Sequence, residues 1–98
     1  MKLPSSILIG GCKVKIKAED LVNLGEYHAD TRTIKIDMAL AEDGGQLCFE
    51  TLRHELMHCA LDISGVAFCE NFEEEAFVRC MDNVFFPAYD KLLNKIYQ

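Results

Sequence analysis

The chain carries two hydrophobic periods in succession. From residue 7 to residue 37 apolar positions recur every second residue, and beyond residue 46 they recur every third or fourth. Ile7-Leu8-Ile9 runs into Gly10-Gly11, a turn signal, and Cys12-Lys13-Val14-Lys15-Ile16-Lys17-Ala18 then alternates apolar residues with lysines, as a half-buried strand does. Leu24–His28 and Thr33–Asp37 flank Ala29-Asp30-Thr31-Arg32, a hairpin-loop composition. The N-terminal third therefore predicts a small antiparallel sheet of three or four strands, closed by the break at Asp43-Gly44-Gly45.

Gln46–Ser64 predicts a helix. Cys48, Phe49, Leu52, Leu56, Cys59, Ala60 and Ile63 fall within about 120° of one another on a helical wheel. Leu47, Met57 and Leu61 lie elsewhere, so solvated positions shrink to a stripe of Glu50, Arg53 and Ser64, and the helix is expected in the middle of the domain. Gly65 stands where a C-cap glycine belongs. Residues 71–96 predict a second long helix. Asn71 is its expected cap, Glu73-Glu74-Glu75 complement its dipole, and Phe77, Cys80, Met81, Val84, Phe85 and Ala88 form its apolar face. Pro87 is expected to kink or split it.

Composition narrows the class. At 98 residues, half of them hydrophobic and 27% charged, the chain is one globular domain, residues 1–98, of α+β type, and is not disordered. No apolar run approaches the roughly 20 residues of a membrane helix. The apolar run Ile7-Leu8-Ile9 is too short for the core of an export signal, so a cytoplasmic protein is expected. A net charge of −6 argues against nucleic acid, because the one basic cluster, Lys13, Lys15 and Lys17, alternates like the wet face of a strand. The five cysteines form no C-x-x-C pair and are odd in number, so they read as reduced thiols that pack as small core residues.

The chemistry concentrates in His54-Glu55-Leu56-Met57-His58, an H-E-x-x-H inside the helix expected to be buried. Residues four apart share a helix face, so both imidazoles can reach one Zn²⁺ at about 2.0–2.1 Å. Glu55 lies beside that face, where it can act as general base on a zinc-bound water. The plain alternative is two polar surface histidines. It fits poorly here, because unpaired imidazoles are costly in a core helix.

A catalytic zinc takes a third protein ligand. No third histidine follows in the H-x-x-G-x-x-H continuation, which excludes the metzincin pattern. Asp62, Cys69, Glu70, Glu73, Glu74, Glu75 and Asp82 are the downstream candidates, and the acidic run that opens the second helix is the strongest. His28 and Tyr27 read as a surface histidine and a half-buried strand tyrosine, and Cys48 and Cys59 as core.

H-E-x-x-H on one helix with a ligand glutamate on the next resembles the gluzincin pattern of thermolysin-like metallopeptidases. Gly25-Glu26-Tyr27, Thr31–Asp37, Thr51–His58, Leu61-Asp62 and Glu74–Arg79 together look like small phage- and prophage-encoded metallopeptidases, minimal gluzincin-type domains related in outline to ImmA/IrrE-type peptidases. The resemblance spans nearly the whole chain, and H-E-x-x-H is its specific part. It implies a small antiparallel sheet packed on the H-E-x-x-H helix and a ligand-bearing C-terminal helix, with one zinc between the two helices. In gluzincins the ligand glutamate is often followed by a small residue and then an apolar one, which implies Glu75 through Glu75-Ala76-Phe77; the helical wheel instead brings Glu74 closer to the apolar face. Thermolysin-like enzymes carry an acidic residue four positions after the ligand to support a histidine. Arg79 stands there in this chain, and Asp82 is the available substitute.

These readings converge on a zinc metallopeptidase acting on peptide or protein substrates, with His54, His58 and Glu75 as metal ligands and Glu55 as the catalytic base. Thr33–Asp37 is the expected strand for binding substrate by β-augmentation. The rival is a non-catalytic scaffold or partner-binding protein that keeps zinc for folding. A domain of this size has little room for a cleft, which favours the rival and makes a partner or self-association a further requirement for activity.

Overall fold

The computed structural model describes residues 2–97. Four strands form one sheet: β1 (Ser6–Ile9), β2 (Cys12–Glu19), β3 (Gly25–His28) and β4 (Thr33–Asp37). Their order is β1-β2-β4-β3. The expected strands are all present, but the sheet is mixed, not antiparallel, because β2 and β4 pair in parallel from Lys15 opposite Thr33 to Glu19 opposite Asp37. The link after β2 passes over to β3, and the tight β3–β4 hairpin then inserts β4 between them. Asp37 anchors this crossing: its carboxylate accepts from the Leu21 N–H at 3.0 Å, and its own N–H donates to Leu24 O at 2.9 Å.

The alternation in β2 works as its composition predicts. Val14 is fully buried while Lys13, Lys15 and Lys17 face water. Val14, Ile34 and Ile36 pack with Leu40, Cys48 and Cys59 into one core between the sheet and the central helix. Cys48 and Cys59 are buried there as expected; Cys69 and Cys80 are exposed, against expectation, because the segments that carry them lie outside this core.

A short helix, α1 (Met38–Asp43), follows β4 and ends on Gly44 in the left-handed conformation. The central helix, α2 (Gln46–Ser64), has the bounds its pattern predicts, with Gly65 as a left-handed C-cap. It is less enclosed than its composition suggests. Cys48, Thr51, Glu55, Cys59 and Leu61 are buried, while Leu47, Phe49 and Leu56 stay substantially exposed, because only the sheet covers it broadly. A single 3-10 turn, Val66–Phe68, leads on.

The second helix differs most from expectation. It begins at Glu74 with Glu73 as N-cap, because Asn71 adopts a left-handed φ of 64° and belongs to the preceding turn. α3 (Glu74–Cys80) passes through a π-helical segment, Met81–Phe85, into α4 (Phe86–Ile96). Pro87, expected to kink or split the helix, stands just after the π segment that interrupts the regular helix. It sits in the first turn of α4, and the wide turn ahead of it, closed by the Phe86 N–H on Met81 O, relieves the clash its ring makes in a regular helix. The expected apolar face of this helix is mostly exposed; Val78 is its one buried residue among those described.

Candidate metal centre

The functional side chains come from α2, α3 and the π segment. His54, Glu55 and His58 occupy adjacent positions on α2, and the loop after Gly65 returns the chain so that α3 packs beside it. His54 and His58 present their Nε2 atoms to each other at 3.3 Å. Each Nδ1 is held by a carboxylate: His54 by Asp82 at 2.7 Å, and His58 by Glu74 at 2.5 Å. Glu75 places an oxygen 3.6 Å from His58 Nε2.

These contacts determine the tautomers. An ionised carboxylate only accepts, so each Nδ1 donates to its carboxylate, and a neutral imidazole held in this way turns the lone pair of its Nε2 toward the other ring. Two lone pairs aimed at one point repel unless a cation or a shared proton stands between them. The spacing suits a metal, since tetrahedral bonds of about 2.0–2.1 Å to nitrogen give a ligand-to-ligand edge of roughly 3.3–3.4 Å. Donor atoms of His58, Glu74 and Glu75 also lie within 4.8 Å of one another. Glu74 is already spent on the outer nitrogen of His58, whereas Glu75 is exposed and lies on the Nε2 side. Among the described residues the donors that come within this range of one another are those of His58, Glu74 and Glu75; His54 meets the group only through its contact with His58, and Asp82 and Glu74 hold the two imidazoles from behind.

Glu55 is buried beside this group. Burial pushes its carboxyl above the ordinary range, and the neighbouring His54 and His58 oppose that rise. Its burial depends on β3. A Cβ at Gly25 would stand 2.8 Å from Thr51 Cγ2, 3.2 Å from Glu55 Cγ and 3.2 Å from Lys35 O, so only glycine lets the strand lie this close to α2. Gly25→Ala should push β3 off the helix and cost about 1–3 kcal/mol, readable as a lower denaturation midpoint. A midpoint equal to wild type would show that the strand yields freely.

A cleft of about 450 Å³ opens beside these residues, lined by Leu24, Gly25, Arg53, His54, Glu55 and Asp82 among others. The rim of the sheet nearest to it is β3, which among the described residues pairs with β4 alone. Thr33–Asp37, expected to be the exposed strand, is hydrogen-bonded on both sides by β2 and β3 and offers no free edge. Of the other sequence candidates, Asp62 accepts from Tyr27 Oη at 2.7 Å, which accounts for it without a metal. Burial, reinforced by that bond, raises the Tyr27 phenol above its usual range. His28 pairs with Glu26 at 2.8 Å, away from the imidazole pair, and this contact lowers the Glu26 carboxyl.

Sequence reasoning named every member of this cluster but left Glu74 without its part. The signal was the wheel position that turns Glu74 toward α2. Comparison with protein-family models, with curated proteins and with solved structures finds no significant match for the chain.

Proposed function

We propose that this protein is a zinc-dependent metallopeptidase in which His54, His58 and Glu75 bind one ion and Glu55 is the general base. The observation that supports it most is the pair of converging Nε2 atoms at 3.3 Å, each imidazole backed by its own carboxylate. A surface histidine pair has no need of two such supports. When bound, the ion supplies a Lewis acid for a peptide carbonyl and makes water acidic enough to ionise near neutral pH.

The chain does the rest. The 450 Å³ cleft admits an extended peptide, and the free edge of β3 can pair with its backbone as an added strand. Glu55, in a partly desolvated position, accepts the proton from water during attack and returns it to the leaving amine. Asp82 and Glu74 hold the imidazoles so that Nε2, not Nδ1, faces the reaction.

Elemental analysis of the purified protein should find one zinc per chain. Glu75→Gln should remove most of it. Glu74→Gln should weaken affinity by about 10–100-fold, the usual cost of losing an orienting partner, and Glu73→Gln should leave metal content unchanged. Full zinc occupancy in Glu75→Gln with an empty Glu74→Gln would exchange the two roles. No zinc in the wild type after growth and purification with added zinc would overturn the reading.

A further inference from the structure

We propose that the apolar face of α4 is covered by a second copy of this chain, the two helices packing antiparallel across a two-fold axis. Phe85, the last residue of the π segment, lines up with Tyr89, Leu92 and Ile96 of α4 in one ridge, and its ring stacks on Tyr89 at 5.8 Å between centroids. All four are 46–59% exposed, although large apolar side chains on a monomer this small belong in its core. Asp90, Lys91, Asn94 and Lys95 lie on the opposite side of α4, while Phe86 and Leu93 flank the ridge, which gives a helix with an apolar face and a polar one.

Two observations identify the occupant as another copy. The first is the spacing. Steps of four, three and four residues make a coiled-coil seam, and that order reads the same from either end. An antiparallel two-fold pairing therefore sets Phe85 opposite Ile96 and Tyr89 opposite Leu92 along the full length of the ridge, as an isologous interface requires. The second is area. The chain exposes 6708 Å², whereas a folded monomer of its mass is expected to expose roughly 5,700 Å². The excess of about 1,000 Å² is close to the roughly 800 Å² that each partner buries in a standard interface.

α4 alone, about 16 Å long, is too short to bury that much. The apolar surface continues beyond its N-terminal end. The Arg53 guanidinium lies 3.9 Å over the Phe86 ring and 5.8 Å from Phe49, and Phe49 lines an apolar groove of about 250 Å³ with Ile7, Leu52 and Leu56. Antiparallel pairing carries the C-terminal end of each helix toward this groove on its partner. The inference does not depend on zinc or on catalysis.

Sedimentation of the purified full chain over a wide dilution series tests it. The wild type should show twice the chain mass of 11.1 kDa, with dissociation on dilution. Leu92→Glu should weaken the dimer by at least about a hundredfold, because it buries a charge at the centre of the seam. Leu92→Ser should weaken it less, and Lys91→Glu, on the wet face, should not change it. Circular dichroism confirms that each variant is folded. A wild type that stays monomeric throughout overturns the proposal, as does a dimer that Leu92→Glu and Leu92→Ser both leave intact.

Discussion

Glu55→Gln should abolish peptide hydrolysis and leave the metal in place. In the proposed mechanism this side chain would meet the reacting water and not the ion, so zinc content should remain at one per chain. Removing a general base commonly costs about 10²–10⁴ in rate, which places the variant near background in a peptide-library digest. Its melting temperature should equal or slightly exceed that of the wild type. Burial already disfavours the ionised carboxylate at this position, and a neutral amide of the same shape removes that penalty. Two other outcomes are informative. A variant that cleaves as fast as wild type removes Glu55 from the mechanism. A wild type at full zinc occupancy that cleaves nothing in a broad library returns the protein to the class of zinc-supported scaffolds.

Stripping the metal should destabilise the fold by a large margin. Without an ion, the Nε2 atoms of His54 and His58, 3.3 Å apart, have only a shared proton to join them. Binding to the folded state alone contributes about 2.7 kcal/mol when free zinc is a hundredfold above Kd. For a domain of this size each kcal/mol moves the melting temperature by roughly 4–8 °C, so verified chelation should lower it by about 10–20 °C, and restored zinc should bring it back. His54→Ala should show the chelated value with or without added zinc. An identical melting curve before and after removal would separate the fold from the metal. It would leave a shared proton as the species that holds the imidazole pair together.

The local features were legible in the chain because each is decided by residues close together in sequence. The alternation of Val14 and Ile16 with lysines makes β2 a strand with one wet face, and the four-residue spacing of His54 and His58 puts both imidazoles on one side of any helix. The bounds of α2 follow from the glycines on either side, Gly45 and Gly65, the second of which takes the left-handed conformation that ends the helix. Short-range sterics and periodicity suffice for such features.

Other features depend on contacts between distant residues, and there the sequence was silent or misleading. Alternation says that Thr33–Asp37 is a strand but not which neighbours it has. Insertion between β2 and β3 made it internal and gave the free edge to Gly25–His28. The apolar residues of the second helix look like core because hydrophobicity does not specify a partner, and folding left most of them uncovered. The separate roles of Glu74 and Glu75 could not be read from an acidic run. They arise because α3 packs against α2 at one rotation, which sends Glu74 to the back of His58 and Glu75 toward its front. Local sequence therefore carried the strands, the central helix and the chemical groups. The tertiary structure decided which edge is open and which carboxylate faces which nitrogen, because packing sets the relative rotation of two helices to within a fraction of a turn and no local signal does.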